Sequence, residues 1–212
     1  MHDEMTKSAQ PIEVPRLPLF PLKTVLFPGG LLALKIFEAR YLDMVSECLR
    51  EDRPFGVVAL RSGNEAGSGA GVVFEEVGTL ARLIEVDSEQ PGILQLRCRG
   101  GQRFRLHAAQ CQDDGLWTAA IDTLADDEAV APAEAMTATV RALQNALAAL
   151  EARGPVPFLQ PYRFDDAGWV ANRWCEILPL TLAAKHKLMA LPDAQVRLEL
   201  VDEFLRGKGV VK

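Results

Sequence analysis

Between Leu17 and Leu124, apolar residues come in short runs or alternate with polar ones, and glycine or proline breaks the pattern repeatedly. That is the rhythm of β-structure, in which successive side chains point to opposite faces. It predicts strands over 17–22, 31–36, 55–60, 78–86, 93–99, 103–108 and 116–123, with a shorter apolar run at 72–74. About seven short strands fit either a barrel or a sandwich. One helix interrupts them over 39–50, because Tyr41, Met44, Val45, Cys48 and Leu49 form a continuous apolar stripe. Beyond Asp126-Asp-Glu128 the period changes: Met136, Val140, Leu143, Leu147 and Leu150 recur at alternating spacings of four and three. A long amphipathic helix is expected there, with Pro132 in its first turn and Gly154-Pro155 at its end. Trp169, Val170, Arg173, Trp174 and Ile177 predict a second helix that stops near Pro179. Thr181 can cap a third, and Asp193 a fourth whose shared face is Val196, Leu200, Val201 and Phe204.

The resulting expectation is an α+β chain divided as follows: a flexible tail over 1–14, a β-rich part over 15–124, and an acidic linker over 125–131. A helical bundle over 132–206 and a tail over 207–212 complete it. Hydrophobic residues at 49% and charged residues at 25% are the mixture of a globular fold. The net charge of −6 disfavours a polyanionic partner such as nucleic acid. The longest apolar runs, such as that beginning at Phe55, fall far short of the roughly 20 residues that span a bilayer. The polar first ten residues lack the apolar stretch of a secretory signal, so a cytoplasmic location is the default expectation.

The four cysteines are scattered and read as reduced, packed thiols. The glycine-rich stretch 63–71 has no lysine and precedes a strand rather than a helix, so it reads as a surface loop and not a phosphate-binding one. His2, His107 and His186 have no neighbouring nucleophile signature. Cys98, His107 and Cys111 lack the paired spacing of zinc knuckles, and the acidic pairs at 75–76, 113–114 and 165–166 read mostly as turn or cap residues. No cofactor, metal or catalytic residue is expected.

Two segments hold most of the distinctive sequence. The first is Leu17-Pro-Leu-Phe-Pro-Leu-Lys-Thr-Val-Leu-Phe-Pro-Gly-Gly30 followed by Leu34-Lys-Ile-Phe-Glu-Ala-Arg-Tyr41. Its prolines fit an edge strand, Gly29 and Gly30 a tight turn, Glu38 a helix N-terminus, and Phe37 and Tyr41 one helix face. The second is Leu94 to Leu106, where Gly100-Gly101 reads as a hairpin turn and Arg97, Arg99, Arg103 and Arg105 should project together, opposite Leu94, Leu96, Cys98, Phe104 and Leu106. Glu85 and Asp87 on the preceding strand are available to balance them.

The first segment resembles the opening of Lon protease N-terminal domains, and Phe55-Gly-Val-Val, Glu76-Val-Gly-Thr-Leu-Ala-Arg82, Gly101-Gln-Arg-Phe-Arg-Leu106 and Ala171-Asn-Arg173 through Leu178-Pro179 extend the resemblance in order. It implies a β-barrel-like (PUA-like) N-terminal subdomain followed by a C-terminal α-helical bundle, and a stand-alone substrate-recognition domain without the ATPase and peptidase parts. A non-catalytic module that recruits other proteins, possessing Phe27, Phe37, Tyr41 and the four arginines as candidate contacts, is the expected function. A PUA-like nucleic-acid or small-ligand binder is the alternative.

Overall fold

Seven strands and five α-helices follow one another in the residues that this computed structural model describes, 16–63 and 71–212. The N-terminal tail through Pro15 and most of the glycine-rich stretch lie outside the described residues, and with them the expectations placed there. The strands are β1 (Leu17–Leu22), β2 (Leu31–Ile36), β3 (Phe55–Ser62), β4 (Val73–Phe74), β5 (Val77–Gln90), β6 (Ile93–Cys111) and β7 (Trp117–Thr123). Helix α1 (Ala39–Glu51) lies between β2 and β3. A short 3-10 turn then leads into α2 (Thr137–Glu151), followed by α3 (Ala167–Ile177), α4 (Leu182–Ala190) and α5 (Ala194–Gly207).

The strand pairings run β1–β7–β6–β5–β3 and return to β1, so five strands form a closed ring of partners. Only the β1–β3 pairing is parallel; the others are antiparallel. Strand β2 pairs with β6 outside this ring, and β4 with β3. Strand β1 is therefore flanked on both sides and is not an edge. Its prolines are tolerated because the two ladders are staggered: Pro18 is in register with β7 alone and Pro21 with β3 alone.

Residues 93–111 form one strand, where two strands and a hairpin were expected. Gly100 is not a turn residue. It passes directly under the Pro28-Gly29-Gly30 corner, where Gly29 donates to the Gly100 carbonyl at 2.7 Å and Gly100 donates to the Gly30 carbonyl at 2.9 Å. A Cβ on Gly100 would stand 2.2 Å from the Phe27 carbonyl oxygen, so glycine is needed for close backbone approach rather than for chain reversal.

One core lies between α1 and the strands, where Phe20, Ile36, Tyr41, Met44, Val45, Phe55 and Leu96 are buried together. A small second cluster joins Leu19, Val58, Phe104 and Ala119. The third is helical, built on Leu143, Leu147, Trp169, Trp174, Leu198 and Leu205, and it also takes in Phe27 and Val77 from the strand-rich part. Thr181 and Asp193 cap α4 and α5 by accepting from Ala184 and Val196, and Asp166 caps α3 by accepting from Trp169. The face of α5 differs from its apolar pattern: Val196 and Leu200 are exposed, while Ala194, Arg197, Leu198, Val201, Asp202 and Leu205 face inward. Leu49 of α1 is likewise exposed.

Candidate functional site

Polar side chains buried between the strands and the helices set the geometry of the junction. Asp127 receives Arg103 at 2.7 Å and Arg197 at 2.6 Å, and Arg197 also donates to Asn172 at 3.0 Å. Arg103 reaches the carbonyls of Met189 and Leu191, which end α4, at 3.1 and 2.6 Å. Two guanidiniums that burial would otherwise penalise are thus held by one carboxylate and a set of carbonyls. This draw explains the rotation of α5: Arg197 turns inward because its partners are there.

Above this network, β6, the Pro28–Gly29 corner and the start of α3 enclose a cleft of two adjoining lobes that share Gly29, Arg163 and Trp169. The larger, about 320 Å³, is bordered by Gly100, Gly101, Asp126, Asp127 and Asp166 among others. The smaller, about 200 Å³, is closed by Arg99, Leu159, Gln160 and Pro161. A bridge between Gly30 and Phe158 holds the preceding loop against the glycine corner. Arg173 adjoins the cleft. It is fully buried, donates to the Pro28 carbonyl at 3.0 Å and to Glu176 at 2.6 Å, and lies 5.7 Å from the Trp169 ring centre. Its Nε and Nη1 find no partner, and a Cβ on Gly29, whose φ is +71°, would come within 3.3 Å of Nη1. Burial lowers the pKa of Arg173 and pushes the carboxyl of Glu176 up to about 7, against the pull of Arg173 beside it.

The residues singled out from sequence do not form one surface. Phe27 is wholly buried in the helical core, and Tyr41 is buried against Phe20 with ring centres 4.2 Å apart, so neither is available to a partner. Phe37 is 65% exposed and does not share a face with Tyr41, because it precedes the helix. Glu38 makes no capping bond to α1 but pairs with Arg40 at 2.6 Å. The arginines separate as well. Arg103 is buried in the junction, whereas Arg97, Arg99 and Arg105 remain exposed. Arg97 pairs across strands with Glu85 at 2.8 Å, and Arg105 with Glu76 at 3.2 Å. Alternation misplaced them: Gly100 pairs with Ala81 and Arg103 with Thr79, so β6 holds an extra residue between them, and Arg103 and Arg105 turn to the strand face opposite Arg99. There the end of α4 and the 125–127 segment close over Arg103. Arg163 and Trp169 were not picked out as site residues. The available signal was Arg173, a charge set in the apolar stripe of α3 and therefore bound to be buried with it.

Cys98 and Cys175 are buried, with thiols pushed up to about 12. Among the described residues no group of three or more His, Cys, Asp or Glu side chains is placed to hold a metal ion, and no helix is long and apolar enough to cross a membrane.

The family model of the ATP-dependent protease La (LON) substrate-binding domain matches residues 16–207, which include every element of this fold. The chain belongs to this Lon family. The Lon N-terminal domain protein of Xanthomonas campestris superposes with a TM-score of 0.73 at 31% identity, covering 89% of this chain and 97% of that one. The N-terminal domain of a Mycobacterium avium complex Lon protease has the same fold, with a TM-score of 0.59 at 17% identity over 89% of this chain and 97% of that one. Lon protease 2 of Myxococcus xanthus is 24% identical over 91% of this chain, and protein cereblon of Danio rerio 31% identical over 58%. This Lon-type domain spans about a quarter of the length of those two proteins, 24% and 27% respectively.

Proposed function

We propose that this domain is a non-catalytic protein-interaction module that recognises exposed segments of other polypeptides. The observation that supports it most is the extent of the family match, which runs through strands, glycine corner and helices of a substrate-binding domain without interruption. In this reading the closed ring of strands is the PUA-like barrel and the helical part its companion subdomain. The cleft at the junction, with Arg99 and Arg163 in its walls, and separately the exposed Phe37 are the places where a chain can lie, because exposed aromatic and arginine side chains favour such contacts. A nucleic-acid ligand gains no support: of the four arginines in β6, one is buried and two are paired with carboxylates.

Fluorescence anisotropy of a labelled, permanently unfolded polypeptide tests this, with the same polypeptide in its folded form as control. Saturable binding that favours the unfolded form is expected, together with weaker binding by Phe37→Asp. The absence of saturable binding at the highest soluble protein concentration would overturn the proposal.

A further inference from the structure

The smaller lobe of the cleft combines features that serve one kind of ligand. Arg99 is exposed on β6 and makes no hydrogen bond or ion pair with any described residue. The exposed side chain of Arg163 is held only by Asp166, at 3.0 Å, which leaves most of its donors free. Behind Gly29, which lines the lobe, lies the buried guanidinium of Arg173, with two nitrogens unpartnered. Two exposed cations thus line one lobe of a chain whose net charge is −6, with a third, paired to Glu176, behind its glycine wall. The remaining walls are Gly29, the amide of Gln160 and three apolar side chains, Leu159, Pro161 and Trp169. The lobe's volume of about 200 Å³ is below the about 300–1,000 Å³ of small-molecule pockets, which leaves room for a single residue.

We propose that this lobe receives the free C-terminal carboxylate of an extended polypeptide, with Arg99 and Arg163 as partners of the carboxylate and Leu159, Pro161 and Trp169 around the terminal side chain. A guanidinium fork matches a carboxylate geometrically, and the apolar walls accept the one side chain that accompanies it. The adjoining lobe supports a polypeptide over a polyanion. There Asp126, Asp127 and Asp166 would repel a second phosphate, whereas exposed Asp126 can accept backbone N–H groups of the residues leading to the terminus. This inference rests on the polypeptide-recognition reading above and specifies which part of the polypeptide is held.

The test uses the whole chain and labelled peptides of one sequence ending in leucine, either as the free acid or as the amide. A third, amidated peptide ends in glutamate. The free acid is expected to bind at least about ten-fold more tightly than the amide, and Arg99→Met, which removes no intramolecular partner, should bring the free acid down to the amide's affinity. Arg163→Met should act in the same direction. Equal binding of acid and amide, or discrimination that survives Arg99→Met, overturns the proposal, as does a glutamate amide that binds like the free acid. An unfolded polypeptide with an amidated terminus separates the two readings. If it binds while acid and amide peptides do not differ, the cleft assignment fails and general polypeptide recognition stands. If it does not bind while the free acid does, general recognition fails and the terminal-carboxylate site stands. Competition by inorganic phosphate as strong as that of the free-acid peptide would show a site for any oxyanion and overturn the assignment to a polypeptide terminus.

Discussion

Gly100 illustrates how a single residue's role depends on what passes beside it. Two adjacent glycines in an alternating pattern read as a turn, yet each has a different environment. A Cβ at Gly100 would sit 2.2 Å from a backbone oxygen that cannot move aside, whereas one at Gly101 would rest at an ordinary 3.4 Å from the Leu80 oxygen. Gly100→Ala is expected to lower stability by about 2–3 kcal/mol through overpacking. Gly101→Ala should change it by no more than about 0.5 kcal/mol. Urea denaturation of the two variants checks the contrast, and equal effects would contradict the close approach of β6 to the glycine corner. The same residue-level logic separates Phe27 from Phe37. Both are apolar members of one motif, but one fills the helical core and the other faces solvent.

At the level of elements, the helices and most strands were legible because their signals are local. Capping by Thr181 and Asp193, the stop before Pro179 and the period-two alternation all act over a few residues. The face that an element buries is set otherwise. In α5 the apolar pattern favours Val196 and Leu200, but Arg197 is drawn inward by Asp127, 70 residues earlier in the chain. Arg103 is similarly claimed by the end of α4, 88 residues away. Both arginines depend on Asp127, so Asp127→Ala leaves two buried cations without their carboxylate and is expected to cost about 3–5 kcal/mol. The additional replacement of Arg197 by methionine should recover part of that loss, because it removes one of the stranded charges. A double-mutant cycle read by urea denaturation tests the coupling, and strict additivity would show that Asp127 and Arg197 do not act together.

Across the whole molecule, the strand-rich and helical parts are joined by Phe27 and Val77 in the helical core, by the Asp127 network, and by Arg173, which links the Pro28 carbonyl to Glu176. The last connection has a pH dependence. Burial pushes the Glu176 carboxyl from an ordinary 4.5 up to about 7, so between those values the native state holds a proton that the unfolded chain has released. Its contribution to stability therefore falls as pH rises through that window and stays low above it. Glu75 and Asp202 are shifted the other way: a hydrogen bond from Arg61 lowers Glu75, and bonds from Arg206 and Thr139 outweigh burial at Asp202. Their contributions are lost only in more acidic solution. Urea midpoints at pH 5 and pH 8 should show a decline for the native sequence and a smaller one for Glu176→Gln; equal declines would remove Glu176 as the cause. Secondary structure, the change from strands to helices and the Lon-type motifs could be read along the chain, since alternation, capping and motif spacing are properties of neighbouring residues. The order in which the strands pair, the burial of Arg103, and the cleft around Arg99, Arg163 and Trp169 could not, because each is created by packing between segments far apart in sequence, and periodicity holds no information about which distant surface covers a given face.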